Sequence, residues 1–124
     1  MSSALLVGGY PKGHAEPFHP KTLSGARLRH IVADLELDAQ YYDVWANARQ
    51  EEAKHVSSRA AARIKKAHKE GRVIVALGRH VFGALTGCPG LAGIPIIYLP
   101  HPACRTIGDL LALRNGLREI KAQV

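Results

Sequence analysis

An α/β fold, in which a four-stranded and mainly parallel sheet lies between two layers of helices, is the class this sequence predicts. Three observations predict it. Short, continuous apolar runs recur along the chain, at Ala4-Leu5-Leu6-Val7, Val73-Ile74-Val75-Ala76-Leu77 and Ile96-Ile97-Tyr98-Leu99, and such runs are the pattern of strands covered on both faces. Between them lie longer segments whose apolar residues recur every three or four positions, the period of a helix with one buried face. Glycine or proline closes each run, at Gly8, Gly78 and Pro100, so each strand is expected to end in a loop. Strands that alternate with helices in this way build three-layer α/β/α domains. At 124 residues, 47% of them hydrophobic, the chain is expected to form a single domain over residues 1–124.

The elements follow in order. Ala4–Val7 is the first strand and opens into the loop from Gly8 to Phe18. Thr22–Leu37 carries Leu23, Ala26, Leu28, Ile31, Val32 and Leu35 on one helical face, with Thr22 or Ser24 able to cap its amino terminus. Ala39–Ala48 holds Tyr41, Tyr42, Val44 and Trp45, types that favour a pleated setting, and is expected as the second strand. From Gln50 to Glu70 a narrow stripe of Ala53, Val56, Ala60, Ala61, Ile64 and Ala67 marks a long exposed helix, with Gly71 as its stop. Arg72–Gly78 is the clearest strand and is placed at the sheet centre. A short helix over Arg79–Leu85 ends in the turn Gly87-Cys88-Pro89-Gly90. Ile94–Leu99 is the fourth strand, with Pro95 tolerable only near its start. After the loop Pro100–Arg105, Thr106 with Asp109 resembles a capping box, and Ile107, Leu110, Leu111, Leu117 and Ile120 are expected to face inward along the last helix. The strand order expected is 2-1-3-4.

The formal net charge of +7 suits a nucleic-acid partner, because clustered Lys and Arg release counterions from phosphates. A solvated basic helix face accounts for the same charge, since Lys54, Arg59, Arg63, Lys65, Lys66, Lys69 and Arg72 crowd one predicted helix and its exit, with no aromatic residues interleaved. No run approaches the roughly 18–20 apolar residues of a membrane span, and no signal-type segment is recognised, so a soluble, cytoplasmic protein with no membrane partner is expected. The two cysteines, Cys88 and Cys104, are expected to be reduced thiols. His14 and His19 with Cys104 match no metal-ligand spacing, and neither a metal nor any other cofactor is expected. The segment Gly8-Gly9-Tyr10-Pro11-Lys12-Gly13 fits neither the phosphate-loop nor the dinucleotide spacing, which disfavours a generic nucleotide binder.

Right-handed crossovers bring the loops at the carboxyl ends of parallel strands to one edge of the sheet. Four loops are thereby expected to converge: Gly8–Phe18, the segment after Asn47, the turn at Gly78, and Pro100–Arg105. They bring together the ring of Phe18, the amide of Asn47 and the imidazoles of His14, His80 and His101. A flat ring, an amide and a histidine at the mouth of a basic sheet suit a planar, hydrogen-bonding ring such as a nucleobase. Each residue also has an ordinary reading: Phe18 as core or lid, Asn47 as a turn former, Glu16 as a solvated loop carboxylate.

At these residues the chain resembles the uracil-DNA glycosylase superfamily, from about Leu5 to about Ile120. Gly8-Gly9-Tyr10-Pro11 with Pro17-Phe18 looks like the family's first motif, a strand ending in a Gly-x-x-Pro loop with a base-stacking aromatic beyond it. The strand ending at Asn47 is similar to the one whose terminal Asn bonds the uracil edge. Val73–Leu85 resembles the third strand, Leu-Gly turn and helix, and Tyr98-Leu99-Pro100-His101-Pro102 resembles the motif that sets a histidine on the leaving base. The resemblance implies a uracil-DNA glycosylase-like fold and recognition of a flipped uracil or related modified base in DNA, as in base-excision repair. The activity implied is hydrolysis of the N-glycosidic bond.

On that reading His101 and Glu16 are the catalytic candidates, Gly8, Tyr10, Phe18 and Asn47 bind the base, and Lys12, Arg79 and Arg105 meet the DNA. The family carries Asp, Asn or Glu inside the Gly-x-x-Pro loop, where this chain has Gly9 and Tyr10. Glu16 from the loop, or Asp43 from the second strand, is left to supply a carboxylate. Ala103 and Cys104 stand where the family has a wedge and phosphate-contacting serines, and two cysteines do not supply the four thiolates of the iron–sulfur cluster that some relatives bind. The alternative function is an inactive member of the fold that binds a nucleic acid or nucleotide or serves as an interaction subunit of a larger assembly.

Overall fold

A computed structural model describes residues 3–9, 18–45, 56–104 and 106–122 of the chain. Strands and helices alternate along it: β1 (Ser3–Gly8), α1 (Leu23–Leu35), β2 (Asp38–Asp43), α2 (Ser58–Lys69), β3 (Val73–Leu77), α3 (Arg79–Thr86), β4 (Ile96–Leu99) and α4 (Ile107–Ala122), with a 3₁₀ turn over Pro89–Leu91. The sheet order is β2-β1-β3-β4, as the pattern predicts, and every neighbouring pair is parallel. The register sets Gly8 beside Asp43 at one edge and Leu77 beside Leu99 further across.

Two apolar layers hold the sheet. Leu5, Val7, Ile74 and Ala76 face α2 and α3 and pack with Ala60, Ile64, Ala67, Val81 and Leu85. Ala4, Leu6, Val75 and Leu77 face α1 and α4 and pack with Leu28, Ile31, Leu113, Leu117 and Ile120. Because β1 and β3 are covered on both faces, alternation gives way to continuous apolar runs, which is why they were legible as strands. At roughly 25 cal/mol per Å² of apolar surface withdrawn from water, these two layers are the main favourable term in folding.

The helix ends follow the sequence chemistry. The Thr22 hydroxyl accepts from Gly25 N–H at 3.0 Å, and the Ser57 hydroxyl accepts from Ala60 N–H at 3.1 Å. Ser57 therefore fixes the start of α2 at Ser58, later than the predicted Gln50, with residues 50–55 outside the described region. Thr106 accepts from Asp109 N–H at 3.2 Å, the cap expected for α4. Gly78, at φ +97°, releases the chain from β3 into α3, a conformation that costs glycine little.

Two expectations are corrected. β2 covers Asp38–Asp43, so it starts one residue before the predicted Ala39 and ends well short of Ala48; Val44 and Trp45 lie in a turn that stays tied to β1 by N–H donation to the Gly8 and Gly9 carbonyls, both at 3.0 Å. Ile107 and Leu111 do not face inward: they are 76% and 54% exposed. The buried stripe of α4 runs through Leu113, Leu117 and Ile120, because the helix meets the sheet closely only at Gly116, where a Cβ would lie 2.2 Å from Leu99 Cδ2. Its first turns carry apolar side chains that have no sheet beneath them.

Glycine substitutions separate packing from propensity. At Gly25, a Cβ would sit 2.0 Å from the His19 carbonyl oxygen and 2.5 Å from that of Phe18, both backbone atoms; at Gly83 nothing lies within 4 Å. Gly25→Ala is expected to destabilise by about 1–3 kcal/mol and Gly83→Ala to stabilise by about 0.5–1 kcal/mol, as read by urea denaturation. Equal effects at the two sites would contradict the close approach of α1 to the Phe18–His19 backbone.

Candidate functional site

In this strand order the connection from β1 runs to β2 on one side, while the chain returns from β2 across β1 to β3. The carboxyl ends of β1 and β3 therefore flank the point where the strand order reverses, the place where open α/β sheets form a ligand crevice. A cavity of about 310 Å³ lies there, lined by Gly9 from the end of β1, Trp45 from the turn after β2, Leu77, Gly78, Arg79, His80 and Val81 from the β3–α3 junction, and His101 from the loop after β4. The size is suited to one small planar ring.

His101 is held from several directions. Its Nδ1 accepts from the Ala103 N–H at 3.0 Å, so in the neutral imidazole the proton lies on Nε2. Gly78 allows close approach, since a Cβ at that position would lie 3.4 Å from His101 Cβ. Arg27, on α1, donates to the Pro102 and Cys104 carbonyls at 3.2 and 3.0 Å and clamps the loop that carries His101.

Phe18 is fixed by the same helix. Arg29 Nε donates to the Phe18 carbonyl at 2.7 Å, and Thr22 Oγ1 donates to that of His19 at 2.7 Å. Phe18 has φ +50°, a left-handed conformation that costs a side-chain-bearing residue roughly 1–3 kcal/mol. Its ring is 6% exposed and lies 6.1 Å from Tyr41 and 6.3 Å from His101, centre to centre. Phe18 thus backs His101 as a buried wall. The Arg29 guanidinium covers the Tyr41 ring at 4.5 Å, while burial raises the Tyr41 hydroxyl above the usual phenol range.

Among the predicted site residues, Gly8, Phe18, Arg79 and His101 come together at the carboxyl edge, with Arg79 exposed on the first turn of α3. Tyr10, Lys12, Glu16, Asn47 and Arg105 lie outside the described residues, as does His14. The expected basic surface is in part structural: Arg63 donates to Gln40 at 2.7 Å and Arg72 lies 3.8 Å from Asp38, whereas Arg59, Lys65, Lys66 and Lys69 are exposed. Cys88 and Cys104 are free thiols. Among the described residues no cluster of three metal-ligating side chains occurs, and no helix is long and apolar enough to cross a membrane.

Sequence reasoning underrated two residues. Trp45, expected as sheet packing, lines the cavity and lies 4.9 Å from the His80 ring. Asp43, which matches no motif, ends β2 opposite Gly8 and is 2% exposed. Its Oδ1 lies 3.0 Å from where a Cβ on Gly8 would be, and Oδ2 has no hydrogen-bond partner among the described residues. The sequence offered it only as a carboxylate within the expected second strand. Burial pushes the Asp43 carboxyl up to about 6.

The folded state therefore favours the protonated acid more than the unfolded chain does, and stability present at low pH is lost as pH rises from about 4 through about 6. Asp43→Asn is expected to stabilise the protein by about 1–2 kcal/mol at roughly pH 8 and to change little at roughly pH 4, measured as denaturant midpoints. A loss of stability at the higher pH would show that the carboxylate is compensated in the fold. Comparison of the chain with protein-family models, with curated proteins and with solved structures finds no match.

Proposed function

We propose that this chain is a glycosylase-like protein that recognises a flipped uracil or a related modified base in DNA and hydrolyses its N-glycosidic bond. The observation that carries the reading is the cavity between the ends of β1 and β3 with His101 on its wall, its Nδ1 occupied by the Ala103 N–H. Breaking the glycosidic bond leaves negative charge on an oxygen of the departing base. A neutral imidazole donor held by the fold stabilises that charge as it develops. Trp45, Leu77 and Val81 supply apolar walls for the ring, and the exposed Arg79 at the rim suits a backbone phosphate. The order of Gly8, Phe18, the Gly78 turn and His101 along the chain fits the glycosylase resemblance.

A binding-only reading rests on one observation, that Gly9 and Tyr10 replace the acid of the Gly-x-x-Pro loop. The two readings separate in one experiment. With labelled single- and double-stranded oligonucleotides containing a single uracil, the wild-type protein is expected to leave abasic sites. His101→Ala is expected to lower that rate by about a hundredfold or more, with DNA affinity changed far less. Affinity should fall with added salt, with a slope of about −0.7 to −0.9 per neutralised phosphate on a logarithmic scale. Salt-sensitive binding without cleavage supports the binding-only reading, and the absence of both removes the nucleic-acid assignment.

A further inference from the structure

We infer that the open edge of β4 is a self-association surface, at which two copies of this chain join their sheets antiparallel about a two-fold axis. The sheet runs β2-β1-β3-β4, so β2 and β4 are its edges. The two are built differently. β2 carries Asp38, which lies 3.8 Å from Arg72, and Gln40, which accepts from Arg63 at 2.7 Å, so charge and polar bonds guard it. β4 reads Ile96-Ile97-Tyr98-Leu99, with no charged side chain, and Tyr98 is 37% exposed.

The main chain of β4 decides which of its groups are left over. Leu99 accepts from the Gly78 N–H at 2.9 Å, so its peptide groups turn toward β3, and alternation turns those of Ile97 the same way. The peptide groups of Ile96 and Tyr98 therefore point away from the sheet. Pro95 does not blunt this edge: it lies in phase with Ile97 and Leu99, so the N–H that it lacks is one that would face β3. An uncharged edge whose outward groups pair with no strand among the described residues is a template for another strand.

Symmetry, side-chain fit and charge select a second copy as that strand. Antiparallel pairing centred on Ile97 sets Ile96 opposite Tyr98 of the second copy, and Tyr98 opposite its Ile96. The outward groups then meet in two hydrogen-bonded pairs, about four bonds in all. On one face Tyr98, whose ring meets Phe82 edge-on at 5.5 Å, comes beside an isoleucine, a favourable aromatic and β-branched pair. On the other, Ile97 meets Ile97 next to an apolar groove of about 320 Å³ walled by Val73, Pro95 and Ile97 itself. Gly116 lets α4 rest on Leu99, and the exposed Ala112 and Gly108, one and two turns earlier on the same row, keep that flank of the helix small. A chain of net charge +7 repels its own copies, and an uncharged edge is where their approach is least opposed. The two cavities end up on opposite sides of the doubled sheet, and neither is covered.

The test is sedimentation equilibrium of the full chain from about 1 μM to about 1 mM, with amide hydrogen exchange read at both ends of that range. Support is a mass that rises from 13.4 kDa to twice that value and stops there, with the Ile96 and Tyr98 amides slowed at the high concentration and β2 unchanged. Tyr98→Pro removes an outward N–H without touching the bonds to β3; it deletes half of the paired bonds and is expected to weaken association by about tenfold or more. Tyr98→Lys keeps the N–H and adds the charge that guarded edges use; it is expected to weaken association too, and it decides the matter if the proline variant does not fold. A chain that stays at 13.4 kDa throughout overturns the inference and leaves the edge to a strand of another protein. Growth past the dimer overturns it, since two-fold pairing uses up the β4 edge. So does a dimer that both variants leave intact, or one in which the Ile96 and Tyr98 amides exchange as fast as in the monomer.

Discussion

Helix α1 holds both the loop that carries His101 and the backbone at Phe18, and the rest of the carboxyl edge depends on that. Arg27 and Arg29 lie two positions apart and serve different loops, the first the one that carries His101 and the second the carbonyl of Phe18. Between the helix cap and these arginines sits Gly25, whose missing side chain lets the Phe18–His19 backbone rest on the helix. Charged donors to carbonyl oxygens contribute roughly 1.5–3 kcal/mol each, more than neutral hydrogen bonds. They cross from an element buried in the sheet to segments that have no regular structure. Part of the chain's positive charge is consequently internal bracing rather than a surface for polyanions.

Two unfavourable features collect at the carboxyl edge of the sheet. A carboxylate with an unsatisfied oxygen and a phenylalanine in the left-handed region are each unfavourable by amounts comparable to a good core contact. Neither is offset locally. They are tolerated because Leu5, Leu6, Val75 and Ala76 are fully buried and the two central strands are covered on both sides. This distribution, a well-packed sheet with strain collected at one end, is expected of sites whose groups must be held ready rather than relaxed.

How much of this was legible can be argued residue by residue. The central strands were plain because burial on both faces writes an uninterrupted apolar run. The sheet order expected, 2-1-3-4, is the order found. The second strand was misplaced because it sits at the edge, where Asp38 to Asp43 mixes polar and aromatic residues and no periodicity marks its end. Ile107 and Leu111 were misread because periodicity fixes a helix face but not how far along the helix that face stays covered. His101 stood out between two prolines. Asp43 was marked only as a carboxylate in the second strand, and its burial shows only in the structure, where it ends β2 in register with Gly8.

That register bears on what the departure in the first loop means. A Gly-x-x-Pro loop without an acid suggests an inert site if chemistry is tied to sequence position. In a parallel sheet, however, adjacent strand ends are about 4.8 Å apart, and a residue ending β2 reaches much the same space as one leaving β1. Gly8 carries no side chain and so leaves room for Phe18 and for Asp43, whose Oδ1 lies 3.0 Å from its Cβ position, whereas the Gly9 Cβ position is met by Trp45 at 3.2 Å.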